Sequence, residues 1–168
     1  MLGNIREYYQ NGNKMYDGET KNGLKHGQGI LYDENGIKAY KGQFKDNIQN
    51  GYGIQYSENG NKEYEGEWKN SKPNGQGIQY KPNEKKGYEG EWKNGLKNGH
   101  GISYNIIGNK VYLGFFKDDK RCGKGILYYN NGNKLFDGEF NDNKHNGQGV
   151  VYYPSGYKKY NGQFKNDK

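Results

Sequence analysis

The sequence carries a single cysteine, Cys122, among 168 residues. One thiol excludes an internal disulfide framework, and no Asn-x-Ser/Thr acceptor occurs; a reducing, intracellular and cytoplasmic setting fits best. Arginine is almost missing as well, present only as Arg6 and Arg121. Base-reading and base-stacking sites favour Arg beside exposed aromatics, so nucleic acid is not an expected partner despite a net charge of +7. Leu, Ile, Val and Phe together number 26, and mean hydropathy is −1.37. That supply is too small for a conventional two-layer core, and by bulk composition it points towards disorder. No stretch approaches the ~20 apolar residues of a membrane-spanning helix, and the N-terminal "MLGNIREYYQNGNK" lacks the apolar run of a signal peptide. A soluble chain is the expectation.

Against disorder stand 18 Tyr, 2 Trp and 29 Gly, with only 3 Pro. Their placement is periodic. Aromatic residues fall at Tyr16, Tyr40, Tyr64, Tyr88, Tyr112, Phe136 and Tyr160, a spacing of 24 without slips, and each is followed two residues later by glycine. A second aromatic follows at Phe44, Trp68, Trp92, Phe116, Phe140 and Phe164, with Thr20 the exception. Paired glycines come next, from Gly27 and Gly29 to Gly147 and Gly149, and a tyrosine closes each unit. Six full repeats occupy 16–39, 40–63, 64–87, 88–111, 112–135 and 136–159, preceded by a half unit at 1–15 and followed by another at 160–168. Gly pairs also mark phosphate-binding loops, but those are single turns before a helix. Here the pair recurs six times with no helical periodicity after it.

Within a unit, "YEGEW" alternates aromatic or glycine with charge, the period-two pattern of a half-buried strand, and "GHGISY" reads as a second strand. Six polar residues between them read as a loop, and Asn-Gly turns such as "ENGNK" join the units. The expected fold is therefore all-β, a single elongated, twisted antiparallel meander of hairpins. A type I turn closed by a left-handed glycine as a bulge would set the register at each inter-unit turn. It would put Tyr64, Gly66, Trp68, Ile78 and Tyr80 on one face, with Glu65, Glu67, Gly75, Gly77 and Gln79 on the other. A ring could then cover the bare backbone of Gly66, which is a structural reason for the motif.

The stretch "YEGEWKNGLKNGHG" resembles the MORN (membrane occupation and recognition nexus) repeat, whose pattern is Tyr-x-Gly-x-Trp-x-x-Gly-x-x-x-Gly-x-Gly. The resemblance covers nearly the whole chain, with three departures: the family unit is commonly a residue shorter, Thr20 lacks the aromatic, and "KPNEKKG" at Lys81 to Gly87 replaces an Asn-Gly turn. It implies an elongated β-ribbon acting as a scaffold or adaptor that docks partner segments or a second copy. Members of the family sit at cytoskeletal or membrane-associated assemblies. The family's name records an early proposal of phospholipid binding, and some members are accessory segments of larger enzymes.

For the residues themselves, catalysis finds little support. His26, His100 and His145 occupy three different positions in the unit, and no nucleophile has a positioned base. The expectation is a non-enzymatic protein without metal, cofactor or small-molecule substrate. Three surfaces are candidates for binding. The first is the aromatic stripe, Tyr40, Phe44, Tyr64, Trp68, Tyr88, Trp92, Tyr112, Phe116, Phe136 and Phe140, which a single sheet would leave incompletely covered and open to a partner helix or peptide. The second is a lysine column, Lys38, Lys62, Lys86, Lys110, Lys134 and Lys158, with Lys14 before it. It reads either as an edge for anionic lipid or as a solubility device, and interleaved carboxylates favour the latter. The third is Ile106, Ile107, Leu113 and Phe115, apolar where sister units mostly carry polar groups. Repeat drift and an association patch both account for it.

Overall fold

The computed structural model describes residues 2–168 and contains no helix among them. The strands are β1 (Leu2–Tyr8), β2 (Lys14–Lys21), β3 (Leu24–Tyr32), β4 (Lys38–Lys45), β5 (Ile48–Tyr56), β6 (Lys62–Lys69) and β7 (Lys72–Tyr80), then β8 (Lys86–Lys93), β9 (Leu96–Tyr104), β10 (Lys110–Lys117), β11 (Lys120–Tyr128), β12 (Lys134–Asn141), β13 (Lys144–Tyr152) and β14 (Lys158–Phe164). Two compact units divide the chain, Met1–Glu84 and Lys85–Lys168, and the boundary falls in the divergent "KPNEKKG" turn. In the first, β1 to β7 pair in sequence order, each antiparallel to the next. In the second, β8 to β14 do the same.

The turn inside each repeat is tighter than the six-residue loop that the sequence suggests. Lys69 still pairs with Lys72, so only Asn70 (φ 52°) and Ser71 (φ 58°) form the turn. Two left-handed residues define a type I′ hairpin, whose twist matches that of the flanking strands, and Asn and Asp adopt it more readily than other side chains. Between repeats, the Gly60 N–H donates to Ser57 O at 2.8 Å, the Ser57 N–H donates to Asn61 O at 2.9 Å, and Gly60 has φ 80°. This is the expected type I turn closed by a left-handed glycine. In the divergent turn Glu84 holds that conformation, at φ 60°.

The turn is as expected, yet the faces are not. Tyr56 pairs with Lys62, but Gln55 pairs with Tyr64, so Glu63 has no partner in the ladder and forms a second bulge. That one residue moves Ile54 opposite Glu65 instead of Tyr64. On the other side of β6, Gly66 pairs with Gly77 and Ile78 with Glu65, while Trp68 pairs with Pro73. Asn74, Gly75 and Gln76 all lie opposite Glu67 alone. The predicted face is thereby corrected. Gly77 joins Tyr64, Gly66 and Trp68, and Ile78 lies with Glu65, as does Tyr80, whose hydroxyl donates to the Glu65 carboxylate at 3.0 Å.

The two glycines of a pair do different work. A Cβ on Gly77 would run into the hydroxyl and ring carbons of Tyr64, so this position must be bare for the ring to lie down. Gly75 sits in the bulge at φ 105° against the Glu67 carboxylate, a conformation that strains any side chain. Across the sheet the bare positions form a row, Gly18–Gly29–Gly42–Gly53–Gly66–Gly77, and the rings fill it. Tyr16, Tyr40, Phe44, Tyr64 and Trp68 are at most 5% exposed, and Tyr88, Trp92, Tyr112, Phe116, Phe136 and Phe140 at most 7%. Each tyrosine meets rings edge-on: Tyr40 contacts Phe44 at 5.2 Å and Trp68 at 5.3 Å, and Tyr112 contacts Phe116 at 5.1 Å and Phe140 at 5.3 Å. Such pairs contribute about 0.5–1.5 kcal/mol each beyond the area they bury. Tyr16, Tyr40, Tyr64, Tyr88 and Tyr112 donate their buried hydroxyls to the carbonyl three residues on, at 2.7–3.1 Å. A core can thus be assembled from rings and bare backbone with few aliphatic side chains.

Candidate functional site

The aromatic stripe offers a partner little surface. Tyr40, Phe44, Tyr64, Trp68, Tyr88, Trp92, Tyr112, Phe116, Phe136 and Phe140 are all buried among themselves and against glycine backbone. The expectation of an incompletely covered stripe is corrected accordingly. One sheet layer suffices because each ring is laid flat over two strands and sealed by the edge of the next. These residues are the core.

The opposite face is more open and has a repeating chemistry. Along it, the strands present a cross-strand row in which isoleucine alternates with charge: Asp17, Ile30, Lys41, Ile54, Glu65 and Ile78 in the first unit. The acid in this row is tied to the lysine three residues before it. Lys62 reaches Glu65 at 2.8 Å, Lys86 reaches Glu89 at 2.8 Å, Lys14 reaches Asp17 at 2.9 Å and Lys134 reaches Asp137 at 2.7 Å. The Lys62 ammonium, followed by the hydroxyls of Tyr80 and Tyr52, holds the Glu65 carboxyl below the usual carboxylate range; Lys86 and Tyr104 do the same for Glu89. Two residues further on, Glu67 accepts the Gln76 N–H at 2.9 Å and Glu91 the His100 N–H at 2.8 Å; Gln43 takes the Tyr52 N–H at 2.7 Å. Both carboxylate positions therefore support the hairpin, the first by charge and the second by capping a bulge.

β10 abandons both. Leu113 stands where four sister repeats pair an acid with lysine, and it is flanked by Ile102 on β9 and Ile126 on β11. Three consecutive strands thus present an apolar side chain in the row. Phe115 stands where Glu67 and Glu91 cap the bulge. Its ring lies against that of His100, 3.6 Å between centroids and tilted by 45°, and the residue is 39% exposed. Lys110, with no acid three residues on, lies 4.2 Å over the ring of Tyr128. Of the four residues in the predicted patch, the structure brings Leu113 and Phe115 together on this face. Ile106 and Ile107, 56% and 58% exposed, stay on the β9–β10 turn.

Half of the lysine column is self-neutralised. Lys62, Lys86 and Lys134 are ion-paired within their own strands, whereas Lys38, Lys110 and Lys158 have Lys41, Leu113 and Asn161 at the acid's place. The histidines do not converge. His145 stacks on Phe136 at 3.9 Å, where burial lowers its pKa, and His26 Nδ1 lies 3.5 Å from Asp46. Burial pushes the Cys122 thiol up, which makes it a poor nucleophile. Among the described residues no group of three His, Cys, Asp or Glu could hold a metal ion, and no helix is long and apolar enough to cross a membrane.

Sequence reasoning missed the side chains that tie one repeat to the next. Asn47, Asp119, Asn143 and Asp167, second in their turns, accept the backbone N–H of Lys25, Lys97, Arg121 and His145 at 2.8–2.9 Å. Their own N–H groups donate back to the carbonyls of those residues. At the other end Asn13, Asn61, Asn109 and Asn133 donate to a carbonyl of the next turn. The recurrence of Asn or Asp at fixed places in successive turns was the available signal.

Geometry and sequence pattern agree with a known family. The MORN repeat matches residues 16–38, 40–62, 64–85, 88–109, 112–134 and 136–156, well over half of the chain, which therefore belongs to the MORN-repeat family. MORN repeats are generally associated with protein or membrane-lipid interactions, and the family is typically non-catalytic. No curated protein matches the chain in a sequence comparison.

Proposed function

From its membership of that family, we propose that this chain is a non-catalytic protein-interaction module whose partner-facing surface is the isoleucine face of β9–β11, not the tyrosine face. One observation carries the reading: β10 replaces two carboxylates that stabilise sister hairpins with Leu113 and Phe115. A repeat that departs from a local rule its sisters keep is a candidate functional position. An exposed ring beside a three-strand apolar row is the kind of surface that receives a partner. The lone Cys122 supports a cytoplasmic setting, beside cytoskeletal or membrane-bound assemblies. The role of accessory segment to a larger enzyme uses the same surface.

A peripheral membrane adaptor working through the lysine column is the second reading. Lys38, Lys110 and Lys158 favour it, since no acid follows them three residues on; the carboxylates bound to Lys62, Lys86 and Lys134 weigh against it. Two measurements separate the readings. Crosslinking in cells with wild type and with Leu113→Glu/Phe115→Glu should recover a protein partner that the double variant loses. Sedimentation with anionic vesicles should give binding that vanishes near 0.15 M salt, where exposed charges are screened over about 8 Å. Vesicle binding that survives this salt and is lost on changing Lys38, Lys110 and Lys158 to Gln would favour the membrane.

A further inference from the structure

The charges around the β10–β11 surface specify what it takes. The two strands carry five cations, Lys110, Lys117, Lys120, Arg121 and Lys124, and no carboxylate. By contrast β6 and β7 carry Glu63, Glu65 and Glu67 beside three lysines, and β8 with β9 carry Glu89 and Glu91. Arg121 belongs to the tyrosine face, over the rings of Tyr112 and Phe140, and Lys120 is spent on Asp142 at 3.3 Å. Along β10, Lys110 precedes Leu113 and Lys117 follows Phe115, while Lys124 lies on β11 opposite Glu139; the cross-strand row itself ends on Glu89 and Asp137, each ion-paired with a lysine of its own strand. The Leu113–Phe115 strip along β10, with a cation at either end and another beside it on β11, is complementary to a segment with apolar residues on one face and carboxylates beside them. β4 and β5, the other hairpin within a repeat whose acid lies only in the turn (Asp46, as Asp118 and Asp119 do between β10 and β11), keep Lys41 in the row and Gln43 at the cap, so they are basic but have no apolar strip.

We infer that the β10–β11 surface docks an acidic peptide segment of a partner protein, its large apolar side chains lying over Leu113, Phe115 and Ile126 and its carboxylates meeting Lys110, Lys117 and Lys124. This inference rests on the interaction-module reading and names the chemistry of its partner. Apolar contact anchors the segment. The lysines select against basic segments, because a like charge there would be held against an ammonium group, and a neutral segment forgoes the carboxylate contacts.

The test uses the whole chain as bait for a displayed library of random peptides of about 16 residues, enough for some four helical turns. Wild type is compared with Leu113→Glu/Phe115→Glu and with Lys110→Gln/Lys117→Gln/Lys124→Gln. The first variant restores the residue types that pair and cap in sister repeats, so it retains the fold, which circular dichroism checks. The expected result is enrichment of net-negative peptides with at least two large apolar residues, binding either variant about tenfold or more weakly, a difference of about 1.4 kcal/mol. Enriched peptides without net negative charge, or bound equally by all three baits, overturn the inference while leaving the interaction-module reading in place at another surface. No enrichment at all overturns it too, and combined with no partner lost in the crosslinking experiment it removes both. Self-association of wild type that the Leu113→Glu/Phe115→Glu form lacks would assign the patch to a second copy instead. Vesicle binding at 0.15 M salt lost on that same change would assign it to a membrane.

Discussion

The indole of Trp68 stands edge-on to the ring of Tyr40, 5.3 Å between centroids at 87°, and donates its N–H to the Gly53 carbonyl at 3.1 Å. The two residues come from successive repeats. Within each unit a repeat thus seals the tyrosine of the one before it, as Phe44 does for Tyr16 and Phe140 for Tyr112. Contacts of this kind reach only the nearest neighbour, so stability accumulates along each unit nearly as a sum of repeats and their interfaces.

Trp68→Ala removes two ring contacts and leaves the Gly53 carbonyl without its indole donor. A loss of about 3–5 kcal/mol is expected, in the range of buried aromatic truncations. Phe44→Ala, which breaks ring contacts but no hydrogen bond, should lose less. Urea unfolding of both checks the order. Equal losses would mean that the indole N–H adds nothing to the ring.

Gly77→Ala places a methyl group where the hydroxyl and ring of Tyr64 lie. The ring must lift, weakening its contact with Trp68 and its bond to the Glu67 carbonyl. Overpacking costs about 1–3 kcal/mol. The double variant Gly77→Ala/Tyr64→Ala should show a large favourable coupling, because without the ring the methyl has room. Additive losses would place the strain elsewhere.

Phe136 is the one ring of its series without a hydroxyl, and so makes no counterpart of the bond from Tyr112 to the Phe115 carbonyl. Phe136→Tyr should supply that bond to the Glu139 carbonyl and stabilise the chain by about 0.5–1.5 kcal/mol. His145, stacked on Phe136, should remain in place. A thermal melt checks the sign, and destabilisation would show that the Phe136 site is shaped differently from its six sisters.

How much of this was legible in the sequence depends on what sets each feature. The 24-residue spacing, the strand alternation and the Asn-Gly turn chemistry are local, and they lead to the hairpins and to the left-handed Gly60. The faces are not local in this sense. One unpaired residue, Glu63, transfers Ile54 to the side of Glu65, the bulge at Asn74–Gln76 sets Ile78 there too, and side-chain alternation does not reveal where a ladder slips. The burial of Trp68 was also hidden, because it depends on rings of neighbouring repeats closing over bare glycines. Leu113 and Phe115 were visible as departures from the repeat, but the work done by the acids they replace becomes apparent only once Glu65 is seen on Lys62 and Glu67 on the Gln76 N–H.

A core built from tyrosine should fail in alkali. Burial pushes Tyr16 and Tyr112 up to about 12, and raises Tyr40, Tyr64 and Tyr88 further still. In the unfolded chain these phenols ionise near their ordinary value of about 10. The folded state then holds more protons than the unfolded one, so this stabilisation is fully present below pH 10 and is lost as pH rises from 10 towards 12, by about 1.4 kcal/mol per pH unit for each such group. Cooperative unfolding above pH 10 is the expected outcome, with the tyrosinate absorbance of the buried rings appearing together with the loss of strand signal. Tyr64→Phe should be less stable at pH 7, because its bond to the Glu67 carbonyl is gone, yet its stability should fall less steeply above pH 10. Curves that stay parallel for wild type and Tyr64→Phe across pH 9 to 12 would show that Tyr64 ionises freely in the folded chain.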